Sequence, residues 1–176
     1  MSFTPHPDTE TIALSCAVIT ASDTRTPETD RSGQIIQQLL VDAGHRVGAY
    51  EIVRDEPQEI KDCLTRLCAS EELDALIFNG GTGIAPRDTT YDAIAGLLEK
   101  TLPGFGELFR FLSYQEIGSR AVRQHPHSGI ATRAVAGVYQ QKLIFCLPGS
   151  SNAVKLGLTQ LILPELVHLD KQLKYT

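Results

Sequence analysis

The sequence predicts an α/β protein with a mostly parallel sheet, and three observations support this fold class. Short apolar runs, typical of strands covered on both faces, alternate with segments in which apolar residues recur at helical spacing. Their order is βαβαβα, the pattern of right-handed crossover connections between parallel strands. The 176 residues are enough to bury one full hydrophobic core, and no internal repeat or composition change divides them.

The strands are predicted from short apolar runs bounded by polar or glycine-containing segments. The first run, Ala-Leu-Ser-Cys-Ala-Val-Ile-Thr, is nearly continuous, as expected for a buried strand. The last two runs flank Gln140-Gln141, which we expect to form the turn between them. We place the strands at residues 13–20, 47–53, 75–78, 134–139 and 142–147.

The helices are predicted from apolar stripes and from the residues that begin or end them. The first stripe, with Ile36 and Leu40, ends before Gly44, which suits the left-handed position after a helix. Pro57 suits the first turn of the second helix. Pro164 is expected either to bend the last helix or to begin a new one. The other helices are predicted at residues 90–100, 105–117 and from about 153 onward.

Composition argues against several broad functions. A net charge of −5 disfavours a general nucleic-acid-binding surface, and no apolar run approaches the ~20 residues of a membrane span. Residues 1–11 lack a signal-peptide pattern and are expected to be a flexible tail before a single domain at 12–176. We therefore expect a cytoplasmic protein. The four cysteines have no Cys-x-x-Cys spacing and are interpreted as structural thiols.

Residues 79–90 form a glycine-rich connection between a predicted strand and a predicted helix. Gly80, Gly81 and Gly83 let backbone amides approach an anion closely, and a helix N-terminus adds about half a positive charge. Arg87 is suited to pairing with phosphate, and Thr82 offers a hydroxyl group. The loop matches neither the Walker P-loop nor Gly-x-Gly-x-x-Gly. The alternative is a tight turn that needs glycine only for positive φ.

Polar segments follow four predicted strands, and in parallel α/β sheets ligands bind beyond this edge. They are Ser22-Asp23, Asp55-Glu56, the glycine loop and residues 148–152. Asp55 and Asp88 are interpreted either as helix N-caps or as ligands for Mg²⁺, which favours one or two carboxylates plus substrate phosphates. Two further pairs of residues are candidates. Either Asp30 or Ser32 is expected to cap the first helix. Either Ser150 or Ser151 is expected to cap the last helix or to help bind an anion.

Taken in order, these segments resemble the molybdenum cofactor biosynthesis family that includes MoaB, MogA and the G domain of gephyrin. The ordered set spans residues ~12 to ~165, and two further segments look most like MoaB. The motifs are Ser22-Asp23, Asp30-x-Ser32-Gly33, Asp55-Glu56, Gly80-Gly81-Thr82-Gly83 with Arg87-Asp88-x-Thr90, Pro103-Gly104-Phe105-Gly106-Glu107, Thr132-Arg133 and Pro148-Gly149-Ser150. The MoaB-like segments are residues 109–118 and 133–137.

The resemblance implies a three-layer α/β/α fold that assembles as a homotrimer or a dimer of trimers. It implies that molybdopterin is bound and that Mg-ATP donates AMP to its terminal phosphate. Carried over by motif, Asp55 and Asp88 are the catalytic carboxylates that place Mg²⁺. The nucleotide phosphates would contact Ser22, Asp23, Gly80, Gly81, Thr82 and Gly83. Molybdopterin would contact Thr132, Arg133, Pro148, Gly149 and Ser150.

Three departures from the family pattern leave the reaction open. Asn79 stands where threonine is usual, Thr132 stands where serine is common, and residues 118–130 form a longer stretch than usual. A molybdopterin adenylyltransferase is one hypothesis. A non-catalytic molybdopterin-binding or scaffold protein of the same pathway is the alternative. A nucleotide hydrolase or regulatory nucleotide-binding module is the third.

Overall fold

A computed structural model describes residues 12–117 and 133–174 of the chain, so the expected tail at 1–11 and the long stretch at 118–130 lie outside the described residues. Within these ranges, six strands form one sheet in the order β2-β1-β3-β6-β5-β4. The ladders β1–β2, β1–β3 and β3–β6 are parallel, whereas β5 runs antiparallel to both of its neighbours. The predicted mostly parallel sheet is therefore confirmed. The strands are β1 Ser15–Ala21, β2 Arg46–Val53, β3 Ala75–Asn79, β4 Lys100–Thr101, β5 Val135–Tyr139 and β6 Lys142–Leu147.

Helices cover both faces of this sheet. Along β1, alternate side chains enter opposite cores: Cys16 and Val18 face one, and Ala17 and Ile19 face the other. The first core is closed by α1, α4, α5 and α6, and the second by α2 and α3, so the fold has three layers. The helices are α1 Arg31–Asp42, α2 Pro57–Cys68, α3 Thr90–Ala95, α4 Pro103–Ile117, α5 Ser151–Gly157 and α6 Leu163–Lys174.

The prediction of a helix over residues 90–100 is wrong at its C-terminal end. α3 stops at Ala95, and Gly96 occupies the position after it. The Glu99 amide instead donates to the Val138 carbonyl at 2.8 Å, and Lys100–Thr101 pairs with β5 as the edge strand β4. Pairing with a strand distant in sequence therefore decides the conformation of this segment.

The last helical segment changes its hydrogen-bonding pattern near Pro164. A π-helical stretch, Leu158–Ile162, joins α5 to α6, and Pro164 is the second residue of α6. Proline has no amide hydrogen to donate, so it fits the beginning of a new α-helical segment. Of the two outcomes expected for Pro164, the structure shows the second.

Three smaller expectations are also decided by the structure. Gln140 and Gln141 have φ values of 46° and 59°, the left-handed pair of a two-residue hairpin turn. All four cysteines are free and buried, and burial raises the pKa of Cys146 to about 12. They therefore fit the interpretation as structural thiols. None of the helices in the described ranges has the length and apolar character needed to cross a membrane.

Candidate functional site

The glycine loop begins with two positions whose backbone conformation suits glycine. Gly80 has φ 98° and Gly81 has φ 60°, and the Gly80 amide donates to the Leu147 carbonyl at 3.0 Å. A Cβ atom on Gly81 would collide with the side chains of Asp55 and Thr90. Positive φ is therefore confirmed as one reason for these glycines, and close packing against neighbouring loops is a second.

The first two amides of α3 have an acceptor within the chain. This helix has six residues, and its first two amides, of Thr90 and Tyr91, donate to the Gly81 carbonyl at 3.0 and 3.4 Å. Those donors are therefore used to close the loop. Any anion bound here must rely on other groups.

Arg133 forms hydrogen bonds with backbone carbonyls of the glycine loop. Its guanidinium donates to the Thr82 carbonyl at 3.2 Å and to the Gly83 carbonyl at 2.8 Å. A third contact pairs it with Asp92 at 2.8 Å, and its central carbon lies 4.5 Å from the Tyr91 ring centroid. Arg133 was expected to contact molybdopterin, and in the structure it shapes the glycine loop.

The loop amides point away from these carbonyl contacts. In a trans peptide, the carbonyl of one residue and the amide of the next point in opposite directions. The Gly81 carbonyl faces the start of α3 and the Thr82 and Gly83 carbonyls face Arg133, so the amides of Thr82, Gly83 and Ile84 each point away from the partner of the preceding carbonyl. Within the described ranges these three amides donate to no acceptor. They are therefore left to donate to an anion.

Neither Asp55 nor Asp88 caps a helix. The N-cap residues of α2 and α3 are Glu56 and Thr89, so the cap interpretation of both aspartates is wrong. The Asp55 carboxylate accepts from Thr90 Oγ1 at 3.2 Å, and the Asp88 carboxylate accepts from the Ala85 amide at 2.9 Å. Both carboxylates thus contact the glycine loop or the helix that follows it.

Asp55 lies in a partly buried, acidic environment. Burial raises the pKa of Asp55, and the charges of Asp23 and Asp88 raise it further, although a hydrogen bond from Thr90 and the charge of Arg87 oppose this. In the part of the chain that the structure describes, no three acidic, histidine or cysteine side chains are arranged to hold a metal ion. Two carboxylates completed by phosphate oxygens nevertheless fit the ligand preference of Mg²⁺.

Asp23 and Ser22 lie beside this acidic group. Asp23 Oδ1 accepts from the Asp55 amide at 3.2 Å, and Asp23 Oδ2 accepts from Arg87 at 2.5 Å. The Ser22 hydroxyl oxygen accepts from the amide of Arg25 at 3.2 Å. The structure therefore brings the loops after β1, β2 and β3 together, as the sheet-edge argument predicted.

A cavity of about 460 Å³ opens on the α2 side of the loop. Its volume lies within the range typical of small-molecule sites. It is lined by Asp88 and Arg133 and by apolar atoms of the loop, so a ligand here would contact one of the candidate carboxylates. The lining residues include Pro57, Lys61, Ile84, Ala85, Pro86 and Ala93.

Asp30 is the confirmed N-cap of α1 and also the centre of a buried polar cluster. Its carboxylate accepts from the Gly33 amide at 3.0 Å, from Thr20 at 2.5 Å and from Tyr50 at 2.8 Å, and the Ser32 hydroxyl adds a contact at 3.0 Å. Burial alone would raise the pKa of Asp30, but these donors lower it below the ordinary value.

Arg25 connects the Asp30 cluster to the loop after β6, a role that no sequence motif indicates. Its guanidinium donates to Asp30 at 3.1 Å, to Ser32 at 2.8 Å and to the Gly149 carbonyl at 3.2 Å. Arg25 lies in an otherwise unremarkable polar segment, and Gly149 is 124 residues away. Only the three-dimensional structure identifies this contact.

The loop after β6 packs directly on the glycine loop. A Cβ atom on Gly149 would lie 3.0 Å from the Gly80 α-carbon, so the two backbones are close. Ser150 caps α5, because its hydroxyl oxygen accepts from the Ala153 amide at 3.2 Å. Pro148, Gly149 and Ser150 therefore adjoin the other candidate residues. Thr132 lies outside the described residues.

Comparison with known proteins identifies the family. The family described as "Probable molybdopterin binding domain" matches residues 17–168 of the chain. The chain belongs to the molybdenum cofactor biosynthesis family. Molybdenum cofactor biosynthesis protein B of Bacillus subtilis is 48% identical over 175 residues, covering 99% of this chain and 98% of that protein. The same-named protein of Staphylococcus carnosus is 47% identical over 163 residues, covering 91% of each.

Solved structures of the molybdenum cofactor biosynthesis family share the fold. A crystal structure of a molybdenum cofactor biosynthesis protein B has a TM-score of 0.86 at 44% identity, covering 92% of this chain and 96% of that one. The tungsten cofactor synthesizing protein MoaB of Pyrococcus furiosus gives 0.78 at 35% identity, covering 93% and 98%. MogA gives 0.77 at 27% identity, covering 90% and 99%. These matches confirm the family and fold class predicted from the sequence.

Proposed function

We propose that this chain is a molybdopterin adenylyltransferase, which uses Mg-ATP to attach AMP to the terminal phosphate of molybdopterin. The observation that carries the proposal is a set of three backbone amides without an acceptor, of Thr82, Gly83 and Ile84, in a loop that contacts two carboxylates that cap no helix. Amides bind phosphate oxygens, and the carboxylates suit the cation that accompanies a nucleotide. Family membership supports molybdopterin as the second substrate.

In the proposed reaction, an oxygen of the molybdopterin phosphate attacks the α-phosphorus of ATP, and pyrophosphate leaves. The loop amides stabilise charge on the phosphate oxygens, because their positions are already fixed by Arg133 and α3. Asp55 and Asp88 would hold Mg²⁺, which neutralises charge on the nucleotide phosphates when it is bound. The Asp55 carboxylate is itself positioned by Thr90.

The molybdopterin phosphate would lie beside the loop after β6. Ser150 Oγ accepts from the Ala153 amide, so its hydroxyl hydrogen remains available to donate to a phosphate oxygen. Arg25 fixes the Gly149 carbonyl and thereby the orientation of this loop. We propose that Thr132, Pro148 and Gly149 complete the molybdopterin contacts, with Arg133 acting through the glycine loop.

The test is pyrophosphate release from purified protein supplied with Mg-ATP and molybdopterin. We expect release only when both substrates are present. Replacing Asp88→Asn removes a proposed Mg²⁺ ligand and should reduce the rate by a factor of about 100 or more, because charge neutralisation by a metal contributes several kcal/mol. Asp42→Asn, at the far end of α1, is the matched control and should keep the wild-type rate.

A non-catalytic molybdopterin-binding protein is the second candidate. The feature in its favour is the MoaB-like sequence at residues 109–118 and 133–137, together with the longer stretch at 118–130. Tight molybdopterin binding without pyrophosphate release would establish this function and exclude the transferase. ATP consumption in the absence of molybdopterin would instead indicate a nucleotide hydrolase.

A further inference from the structure

Arg87 is the cation of the glycine loop, and the proposed reaction leaves it without a role. The sequence marks it as suited to phosphate binding, yet its guanidinium donates to Asp23 Oδ2 at 2.5 Å. The Arg87 side chain is 69% exposed and the Asp23 side chain 38%. The positive charge that the loop itself carries is therefore already paired with a carboxylate of the same chain.

Asp23 is well placed to keep this pairing. Its second oxygen accepts from the Asp55 amide at 3.2 Å, so the loop after β2 fixes the orientation of the carboxylate. The hydrogen bond from Arg87 and the Asp55 amide together hold the pKa of Asp23 below its ordinary value. Asp23 thus stays negatively charged at neutral pH and offers Arg87 a fixed partner.

A negatively charged carboxylate repels phosphate, so a direct contact between Asp23 and the nucleotide phosphates, as the family resemblance implies, is electrostatically unfavourable. The ion pair is exposed, and exposed pairs contribute only about 0–1 kcal/mol. Arginine can instead form two parallel hydrogen bonds with a phosphate group, which carries more charge than one carboxylate. An incoming polyphosphate therefore competes effectively for Arg87.

We propose that Arg87 is the polyphosphate ligand of this site and that Asp23 is its internal competitor. In the absence of an anion, Asp23 holds Arg87 beside the loop. When a polyphosphate binds to the loop amides, Arg87 exchanges Asp23 for phosphate oxygens, and it returns to Asp23 when the anion leaves. The inference rests on the proposed function for the identity of the polyphosphate, namely ATP and the pyrophosphate released from it.

The experiment is isothermal titration with inorganic pyrophosphate, and separately with ATP, in the presence of EDTA and at low ionic strength. Arg87→Gln should weaken pyrophosphate binding by about tenfold or more, because hydrogen bonds between charged groups are lost. Asp23→Asn should strengthen it by up to about fivefold, because the competitor is removed. Opposite changes in pyrophosphate affinity in the two variants would identify Arg87 as a ligand and Asp23 as its competitor.

The double variant separates competition from a general loss of negative charge. If Asp23 acts through Arg87, Asp23→Asn should give little gain in the Arg87→Gln background. Glu59→Gln, in the exposed first turn of α2, removes an acidic charge without touching Arg87 and should leave the affinity unchanged. Thermal unfolding of each variant confirms that the proteins compared are folded.

Weaker or unchanged pyrophosphate binding by Asp23→Asn would overturn the inference, as would an equal gain in the Arg87→Gln background. If the wild-type protein still binds ATP in either case, the proposed function stands and only the role of Asp23 and Arg87 fails. If folded wild-type and variant proteins bind neither ATP nor pyrophosphate, this inference fails, and the adenylyltransferase proposal is decided separately by pyrophosphate release in the presence of Mg²⁺.

Discussion

Gly81 has two separate reasons to be glycine. Its φ of 60° is rarely adopted by other residues, and a Cβ atom would strike the side chains of Asp55 and Thr90. The same residue's carbonyl accepts the first two amides of α3. The conformation of one residue therefore affects a candidate carboxylate and the beginning of a helix.

Gly81→Ala should lower the free energy of unfolding by about 1–3 kcal/mol, because both backbone strain and steric clash must be relieved. Urea unfolding followed by circular dichroism measures the change. Gly104→Ala is the matched control, since it lies in the first turn of α4 and a Cβ atom there would have open space around it. The control should be neutral or stabilising. Equal losses in both variants would contradict this explanation.

Asp30 is a buried carboxylate that is stabilised in its charged form. Its pKa is lowered by donors that outweigh burial, so it contributes stability above its unfolded pKa, and that contribution is lost as pH falls through the lower folded value. Asp30→Asn should cost about 2–3 kcal/mol at pH 7. The difference from wild type should shrink below about pH 4.

Chemical unfolding at several pH values between 7 and 3 checks this dependence. Tyr50→Phe removes one donor to the Asp30 carboxylate and should cost about 1.5 kcal/mol at pH 7. Asp42→Asn, whose carboxylate is exposed, should follow the wild-type curve. A difference between Asp30→Asn and wild type that stays constant down to pH 3 would show that Asp30 is not the titrating group.

At the scale of single elements, Ser150 combines a helix cap with a proposed substrate contact. Ser150→Asp keeps an acceptor for the Ala153 amide and places a negative charge at the N-terminus of α5, where it is favourable. We therefore expect nearly unchanged stability. The same charge should repel the molybdopterin phosphate and raise its KM by about tenfold or more.

Ser150→Ala completes this test because it removes the cap, which typically contributes about 1 kcal/mol. Thermal unfolding and molybdopterin binding are measured on both variants. If Ser150 only caps α5, Ser150→Asp will bind molybdopterin as the wild type does. If Ser150 also contacts the phosphate, binding will be weaker in both variants although only Ser150→Ala loses stability.

Elements whose cause is local could be predicted from the sequence, and those with distant partners could not. The strands around the glycine loop and the cap at Asp30 follow from nearby residues. The end of α3 depends on pairing with β5, and the role of Arg25 depends on the Gly149 carbonyl. Asp55 and Asp88 were correctly placed at the sheet edge, but only their actual contacts exclude helix capping.

At the scale of the whole molecule, α4 leaves apolar side chains exposed. Leu108, Phe111 and Tyr114 recur at three-residue spacing on its outer side. The family resemblance implies a homotrimer or a dimer of trimers, and we propose that this surface takes part in the assembly. The sequence predicted self-association only through that resemblance.

Phe111→Glu should shift the protein toward monomers, because a charge would be buried in the proposed contact. Sedimentation velocity of the wild type should show a species three or six times the monomer mass. Thr65→Glu, which adds a charge at an exposed position on α2, across the sheet from α4, is the control. A monomeric wild type, or an unchanged assembly in Phe111→Glu, would exclude this surface as the interface.

The arrangement of peptide planes in the glycine loop has a consequence for pH dependence. Arg133 and α3 engage the carbonyls, so the amides of Thr82, Gly83 and Ile84 are the backbone groups left to bind an anion. Backbone amides attract anions and do not titrate in the physiological range. Any change in phosphate affinity between pH 5 and 8 will therefore report the ionisation of the ligand itself or of neighbouring side chains. The contribution of the loop amides to that affinity will not change with pH.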